Sequence, residues 1–368
     1  MRVRSENLRW LGRLAVVLGL LCGVSGDAYA KPPKPAFGDI SLFASVPANP
    51  GFPEGVAVHG DKVFVSGPAR FGTGGTGPSA IQVYNRKTGA HEQTIVVQGE
   101  FLEFEHAVSN IAMDGDGRIY ALSTQLGLIR FVKQGQQYVQ QAYGAPLPDL
   151  PTFLDAAPGQ PSSPTVVDFP PICNDIVFDC HGNAYVTDSL QATIFRYPAG
   201  GGAPEIWFQD FSLQGGGFFP FGPNGVRLDV EREHLYMAQS TSLDNPALGR
   251  IVRLPLGAPP ALADLEVVHE YAQYELPDQL AFDEDGFLYV TLALSNQISV
   301  LAPNGVEVTR INSKPSDAVP LENPAALAFD NRTKSLLVVN HALLTGNASH
   351  FAVLKVYVGE EGDELELP

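Results

Sequence analysis

Apolar residues in this chain occur in short alternating runs of the kind that form β-strands. From residue 31 onward, a unit of apolar–x–apolar, Asp, a short turn and a second apolar run recurs about every fifty residues. Helical periodicity is essentially absent from this part of the chain. The six copies begin at Val56, Ile111, Ile176, Val226, Leu280 and Leu327.

Each copy is typical of a β-hairpin, because Asp and Gly at the turn tolerate left-handed backbone. A third strand follows the hairpin, for example at residues 81–84 and 297–300. Six such units predict an all-β, six-bladed β-propeller, in which each blade must pack on its neighbours to bury both faces. We expect the strand at residues 40–43 to join the C-terminal strand at 353–357 and close the ring. A pair of β-sandwiches is the alternative, but it would not explain sixfold repetition.

The first thirty residues have the features of an export signal. Four arginines precede an apolar run at residues 14–24, and Ala28-Tyr29-Ala30 matches the small-x-small cleavage rule. We therefore predict a signal peptide over residues 1–30, cut after Ala30, and a secreted or periplasmic protein. The remainder, 31–368, is predicted to be one propeller domain with a short N-terminal tail (31–38) and an acidic C-terminal tail (359–368).

The chain is acidic, with a formal charge of −17. Removing residues 1–30 takes away four Arg and two acids, which leaves 19 bases against 38 acids and a charge of −19. Such a chain repels phosphate backbones and anionic lipids, so we expect no nucleic-acid or membrane partner. We also expect the protein to be a monomer. Cys173 and Cys180 would lie about 20 Å apart on an extended strand, which is too far for a disulfide, so both are predicted to be free thiols.

One position of the repeat collects oxygen donors. The residue five before the Asp, and its counterpart in copy one, is in order Glu54, Ser109, Asn174, Asn224, Asp278 and Ala325. In a propeller these residues start the innermost strands and converge at one end of the central channel. Two carboxylates and two amide carbonyls suit Ca²⁺, although another divalent cation is possible. The alternative interpretation is that these side chains only cap turns at strand starts.

The sequences around these positions resemble motifs of the gluconolactonase and regucalcin (senescence marker protein) family. The motifs are Pro53-Glu54-Gly55, Asn174-Asp175, Pro223-Asn224-Gly225-Val226 and the run from Pro277 to Asp283. The resemblance covers about residues 40–358. It implies that Glu54, Asn174, Asn224 and Asp278 bind one divalent ion in the channel, and that the protein hydrolyses a small-molecule lactone or related ester. The chain departs from the family at Gln279, where Gly is usual, and in a Pro-rich insertion before Cys173.

Further residues near the predicted site are candidates for catalysis and substrate binding. Asp278 is our first choice for general base or nucleophile. His106 could shuttle protons, although it could also be an ordinary surface or packing histidine, and His341 is open to the same two interpretations. Residues that could line the substrate pocket are Ser109, Gln279, Phe219 and Phe221. The alternative function is a non-catalytic propeller that binds a ligand or protein partner and carries a structural calcium ion.

Overall fold

The structure is a computed structural model that describes residues 34–245 and 248–365. Within these ranges, twenty-four strands form six four-stranded antiparallel sheets, which we number as blades 1–6. Blade 1 comprises β2 (Val56–His59), β3 (Lys62–Gly67), β4 (Ala80–Asn85) and β5 (His91–Val96). Blade 2 comprises β6 (Val108–Met113), β7 (Ile119–Ser123), β8 (Gly127–Gln134) and β9 (Gln137–Gly144). Blade 3 comprises β10 (Cys173–Phe178), β11 (Ala184–Asp188), β12 (Thr193–Tyr197) and β13 (Glu205–Gln209).

The second half of the ring repeats this order. Blade 4 comprises β14 (Pro223–Leu228), β15 (His234–Gln239), β16 (Arg250–Pro255) and β17 (Glu266–Glu270). Blade 5 comprises β18 (Pro277–Phe282), β19 (Leu288–Leu292), β20 (Gln297–Leu301) and β21 (Glu307–Asn312). Blade 6 comprises β22 (Pro324–Asp330), β23 (Ser335–Asn340), β24 (Ala352–Tyr357) and β1 (Asp39–Ser45). Short 3₁₀ turns lie at Phe211–Leu213, Leu262–Asp264 and Ala348–His350.

The ring closes as the sequence predicts. Each innermost strand packs against the next, from β2 through β6, β10, β14 and β18 to β22, and β22 packs against β2. The N-terminal strand β1 pairs with β24, from Asp39 opposite Tyr357 to Ser45 opposite Ala352. Blade 6 is therefore built from both ends of the domain, and the six-bladed propeller is confirmed.

In four of the six hairpins, the carboxylate of the repeated Asp binds backbone N–H groups of the turn. Asp179 Oδ1 accepts hydrogen bonds from the backbone N–H groups of His181 and Asn183, at 2.9 Å each. Asp283 does the same for Asp285 and Phe287. These bonds satisfy the turn's backbone donors, which explains why an Asp follows the first apolar run of the repeat.

The hydrophobic core lies between blades. One cluster joins Val177 and Tyr185 of blade 3 to Val226 and Met237 of blade 4, and similar clusters occupy the other blade interfaces. Burying one such large side chain contributes about 1.5–3 kcal/mol. Because the apolar side chains pack between the sheets, polar residues can line the channel at the centre.

The chain ends differ in part from expectation. The predicted signal peptide lies outside the described residues. The C-terminal segment predicted as a tail is packed against the propeller, since Gly362 forms a bridge with Asp283 and exchanges two hydrogen bonds with Asn331. Cys173 is buried and Cys180 exposed, and the structure leaves both free as predicted. No helix among the described residues is long and apolar enough to cross a membrane.

Candidate metal centre

A β-bulge sits at the same place in five innermost strands. In β10, Cys173 pairs with Asp188 and Ile176 pairs with Val186, so two residues face one residue of the partner strand. The same shift occurs in β6, β14, β18 and β22. A bulge re-aims side chains near sites, and here it places two successive residues of each strand at the channel. The first residue of each pair is the repeat position that collects oxygen donors.

The four predicted metal ligands all present an unsatisfied oxygen. Glu54, Asn224 and Asp278 are buried and Asn174 is half-buried. The buried atoms without a hydrogen-bond partner include Glu54 Oε2, Asn174 Oδ1, Asn224 Oδ1 and Asp278 Oδ1. Each unsatisfied group costs about 1–3 kcal/mol, so four acceptor oxygens at one channel end are unfavourable unless a ligand occupies them. Hard divalent cations prefer these oxygen donors, and the residues present therefore fit such an ion.

The electrostatics of Asp278 point the same way. Burial raises the pKa of this carboxyl group well above its usual range, and the negative charges of Glu54 and Asp175 raise it further. A nearby positive ion would reverse this effect, because it stabilises the ionised form. Among the residues described, no cluster of three or more His, Cys, Asp and Glu has the arrangement of a metal site. The donor set here contains only two such residues, the others being amides.

Hydroxyl groups on the second strand of a blade bind the backbone of the innermost strands that carry the predicted metal ligands. Thr187 of β11 accepts from Asp175 N at 3.1 Å and donates to the carbonyl of Asn224, in the next blade, at 2.6 Å. Thr291 of β19 accepts from Gln279 N at 2.9 Å and donates to the carbonyl of Ala325 at 2.7 Å. Each hydroxyl thus joins a bulge in its own blade to the ligand position of the next. We call these hydroxyl staples.

A third hydroxyl sets the orientation of one ligand side chain. Ser240 Oγ accepts from Asn224 Nδ2 at 2.8 Å and donates to the carbonyl of Pro277 at 2.8 Å. Because the amide nitrogen of Asn224 is engaged in this way, its oxygen is the atom left unpartnered. Gly225 allows the close approach of these two blades, since a Cβ there would lie 2.3 Å from the carbonyl oxygen of Asp278.

A layer of buried charge lies one residue deeper in the channel. Asp175 accepts a hydrogen bond from Asn110 and pairs with Arg227, whose Nη1 lies 2.7 Å from Asp175 Oδ2. Arg227 also donates to Gln279 Oε1 at 3.1 Å. Gln279 was predicted to line the substrate pocket, but its side chain is bound inside this network. The second of the two bulge residues in these strands therefore lies deeper in the channel than the predicted metal ligand and supports it.

The structure gives His106 a different setting from that of a proton shuttle. Its Nδ1 lies 2.9 Å from the carbonyl oxygen of Phe104, and its Nε2 lies 2.9 Å from that of Gly77. Because each ring nitrogen faces a backbone carbonyl oxygen, neither is left for a substrate. The catalytic role predicted for His106 is not supported by these contacts. The residue instead fastens the segment between β3 and β4.

Glu105 fastens the same segment from its other end. Its carboxylate accepts from the backbone N–H groups of Gly72 and Thr73 and from the Thr73 hydroxyl, at 2.8–3.0 Å. Burial alone would raise the pKa of Glu105, but these hydrogen bonds outweigh it and lower the pKa. The segment is thereby held over the channel end.

His341 is the histidine that the structure places beside the candidate ligands. It is buried, and its Nδ1 lies 3.0 Å from Glu54 Oε2, although not in hydrogen-bond geometry. Its Nε2 is buried without a partner. The edge of the ring meets Phe52, with centroids 6.1 Å apart. His106 was favoured from the sequence, which does not show the distances of the two histidines to the channel because these depend on tertiary structure.

Aromatic rings from opposite blades meet over the channel. Phe221 precedes the innermost strand of blade 4, and Phe71 lies between β3 and β4 of blade 1. Their rings are nearly parallel, with centroids 6.1 Å apart, and Phe219 extends the group towards Phe218. Because blades 1 and 4 face each other across the ring, this contact crosses the mouth. Ser109, the other predicted pocket residue, is buried there with an unpartnered hydroxyl.

Comparison with known proteins supports the architecture. No family model matches the chain, and no curated protein matches its sequence. Several solved structures, however, match its fold. Regucalcin from Agrobacterium tumefaciens, described as a calcium-binding protein, has a TM-score of 0.57 at 14% identity, covering 89% of this chain and 98% of that one. The fold is that of regucalcin and gluconolactonase structures.

Two further solved structures have the same fold. A putative gluconolactonase has a TM-score of 0.55 at 14% identity, covering 89% of this chain and 94% of its own. A luciferin-regenerating enzyme has a TM-score of 0.52 at 14% identity, covering 86% and 95%. At this level of identity the likeness is one of fold, and it confirms the propeller that the repeat predicts. The fold alone does not determine the function.

Proposed function

We propose that this protein is an exported, divalent-cation-dependent hydrolase of lactones or related esters. The observation that carries the proposal is the set of four buried oxygens without partners, one each from Glu54, Asn174, Asn224 and Asp278. The neighbours named as gluconolactonase and calcium-binding regucalcin share the fold and supply the reaction class.

The four residues would hold the ion, with Ca²⁺ as the expected cation. When bound, it would supply Lewis-acid polarisation of the substrate carbonyl. Asp278 would take the proton of the attacking water, and the negative charge of Asp175, one layer below, raises the pKa of its carboxyl group. His341 replaces His106 as the group that carries a proton away, because its Nε2 has no hydrogen-bond partner and its Nδ1 lies 3.0 Å from Glu54 Oε2. The Phe residues over the mouth would shield the site from bulk water.

Export belongs to the proposal through the basic and apolar run before Ala30. Expression of the full chain in a bacterial host with fractionation should yield a product that begins at Lys31 outside the cytoplasm. Mass spectrometry of its N terminus measures this. An unprocessed chain in the cytoplasmic fraction would contradict the export proposal and leave the site proposal untouched.

The experiment for hydrolysis compares metal-free and metal-loaded protein on one panel of substrates. The mature protein is stripped with a chelator and assayed on aldonolactones, acyl lactones and aryl esters before and after Ca²⁺ is restored. We expect activity to return with the cation, and Asp278→Asn to lose both turnover and cation binding. Asp285→Asn, an exposed hairpin residue of the same blade, is the matched control and should change neither. Tight cation binding with no hydrolysis across the panel would favour the non-catalytic propeller instead.

A further inference from the structure

The channel mouth is unusually apolar for an acidic protein. Phe71 is 62% exposed and Phe218 is 90% exposed, and both belong to the ring group that meets above the channel. Exposed aromatic rings grouped at one place usually mark a binding surface. Here two of the rings, Phe71 and Phe221, come from opposite blades, so the group lies across the mouth of the channel that holds the candidate metal centre.

Arg70, the residue before Phe71 in the chain, has no counter-ion among the described residues. The Arg70 guanidinium lies 4.4 Å from the centroid of the Phe52 ring, which in turn meets His341. Arg70 Nε is buried without a partner. Across the described residues, Arg70 makes no ion pair, whereas Arg86, Arg227 and Arg310 are each paired with a carboxylate. Stacking on Phe52 uses the face of the guanidinium and leaves its in-plane N–H donors available to a ligand.

The aromatic rings and the unpaired Arg70 together fit a ligand that is both aromatic and anionic. A flat apolar body would contact Phe71 and Phe221, while an anionic group would meet Arg70, which immediately precedes Phe71 in the chain. A carboxylate suits Arg70 because its two oxygens match two guanidinium donors. A sugar lactone without a carboxylate would leave Arg70 unpaired.

We propose that the mouth binds aromatic carboxylates, and that the substrates are aryl esters or aryl lactones that carry a carboxylate group. Phe71 and Phe221 bind the aromatic body, and Arg70 pairs with the carboxylate. The second half of this statement rests on the proposed hydrolase function. The first half is a binding site that stands without it.

The binding test uses three probes of matched size and no turnover. 2-Naphthoate is aromatic and anionic, methyl 2-naphthoate is aromatic and neutral, and gluconate is anionic and polyhydroxylated. Affinity is measured by calorimetry on the mature protein, once with Ca²⁺ and once with a chelator. We expect 2-naphthoate to bind at least about tenfold more tightly than gluconate under both conditions.

Variants then separate the two parts of the site. Arg70→Gln should weaken 2-naphthoate about tenfold and leave methyl 2-naphthoate within about twofold, because a charge-assisted pair is lost and the aromatic contact stays. Phe71→Ala and Phe221→Ala should weaken both naphthyl probes by about three- to tenfold. Lys87→Gln, at the opposite end of blade 1, and Phe101→Ala, an exposed ring outside the group, are controls that should change nothing.

Three results would overturn the proposal. Gluconate could bind as tightly as 2-naphthoate, or Phe101→Ala could act as strongly as Phe71→Ala. Alternatively, 2-naphthoate could bind only with Ca²⁺ and ignore Arg70→Gln, which would place its carboxylate on the cation. Failure of hydrolysis with intact binding of 2-naphthoate would count against the proposed function alone, so the two proposals fail separately.

Discussion

At the scale of single residues, Glu54 and His341 form the pair with the clearest chemical meaning. They come from blades 1 and 6, which are neighbours only because the ring closes. Glu54 Oε2 lies 3.0 Å from His341 Nδ1, and the opposite ring nitrogen is buried and free. A carboxylate on one side and an open nitrogen on the other is the arrangement that a proton-transferring histidine needs.

Replacing His341 by Asn tests this role. The variant His341→Asn should lower kcat by about 10²–10⁴-fold, because proton transfer is lost. Its Ca²⁺ affinity should remain within about threefold, since His341 is not one of the four oxygen donors. Steady-state kinetics and calorimetric titration measure the two quantities. His181→Asn, an exposed hairpin histidine, serves as the control. Unchanged turnover in His341→Asn, with a large loss in His106→Asn at unchanged stability, would return the role to His106.

Some residues of the site could be predicted from the sequence and others could not. Glu54, Asn174, Asn224 and Asp278 occupy one repeat position, so periodicity alone places them at the same end of the channel. His106 and His341 could not be separated in this way, since each lies outside the repeated position. Phe71 was missed because its contact with Phe221 joins opposite blades, and no local pattern indicates it.

At the scale of elements, the bulges and hydroxyl staples determine how accurately the ligands are held. Thr187 and Thr291 each lie opposite a bulge and bond to both their own blade and the next. The repeat predicts strands and hairpins but not these bulges, because one extra residue in a strand leaves the apolar alternation around it nearly unchanged. The two-layered channel was therefore found only in the structure.

Removing one staple tests its contribution. Thr187→Val keeps the shape of the side chain but leaves the Asn224 carbonyl and the Asp175 N–H without this partner. We expect the free energy of unfolding to fall by about 1–3 kcal/mol, and Ca²⁺ affinity to fall by about tenfold or more because a ligand support is lost. Urea unfolding and calorimetric titration measure these changes.

The control for this variant is Thr309→Val on the outermost strand of blade 5, where the side chain is exposed. It should alter neither stability nor affinity. If Thr187→Val unfolds at the same urea concentration as the unaltered protein, the staple does not stabilise the blade interface. If it loses stability but keeps full affinity, the staple supports the fold without positioning Asn224.

At the scale of the whole molecule, the two ends of the channel are stabilised by different means. The end opposite the candidate metal centre carries the hairpins, and the C-terminal segment lies across them. Asp363 N donates to the carbonyl of Phe282 at 3.0 Å, and Glu284 N donates to that of Glu361 at 3.1 Å. Gly362 packs so closely on Phe329 that a Cβ would lie 2.2 Å from the ring. The segment thus links blades 5 and 6 at this end.

A chain that ends at Glu360 should be less stable with an unchanged site. The lost hydrogen bonds and packing predict a decrease of about 1–3 kcal/mol in the free energy of unfolding. Ca²⁺ affinity should not change, because the four oxygen donors lie at the other end of the innermost strands. Chemical denaturation and calorimetric titration test both expectations. An unfolding curve identical to that of the full chain would show that the segment does not support the propeller.

Cation removal is the test that involves the entire ring, because the four oxygen donors come from blades 1, 3, 4 and 5. A ligand that binds only the folded state raises the free energy of unfolding. The increase is about 2.7 kcal/mol when the ligand concentration is about 100 times Kd. We expect Ca²⁺ at that excess to raise the melting temperature of the chelated protein, measured by scanning calorimetry. Mg²⁺ at equal concentration should act less, since it holds its water more strongly and demands stricter geometry. Glu54→Gln should reduce the response to Ca²⁺ because it removes one of the two carboxylates. A melting temperature that is the same with chelator, Mg²⁺ and Ca²⁺ would mean that the four oxygens do not form a cation site, and that their lack of partners has another cause.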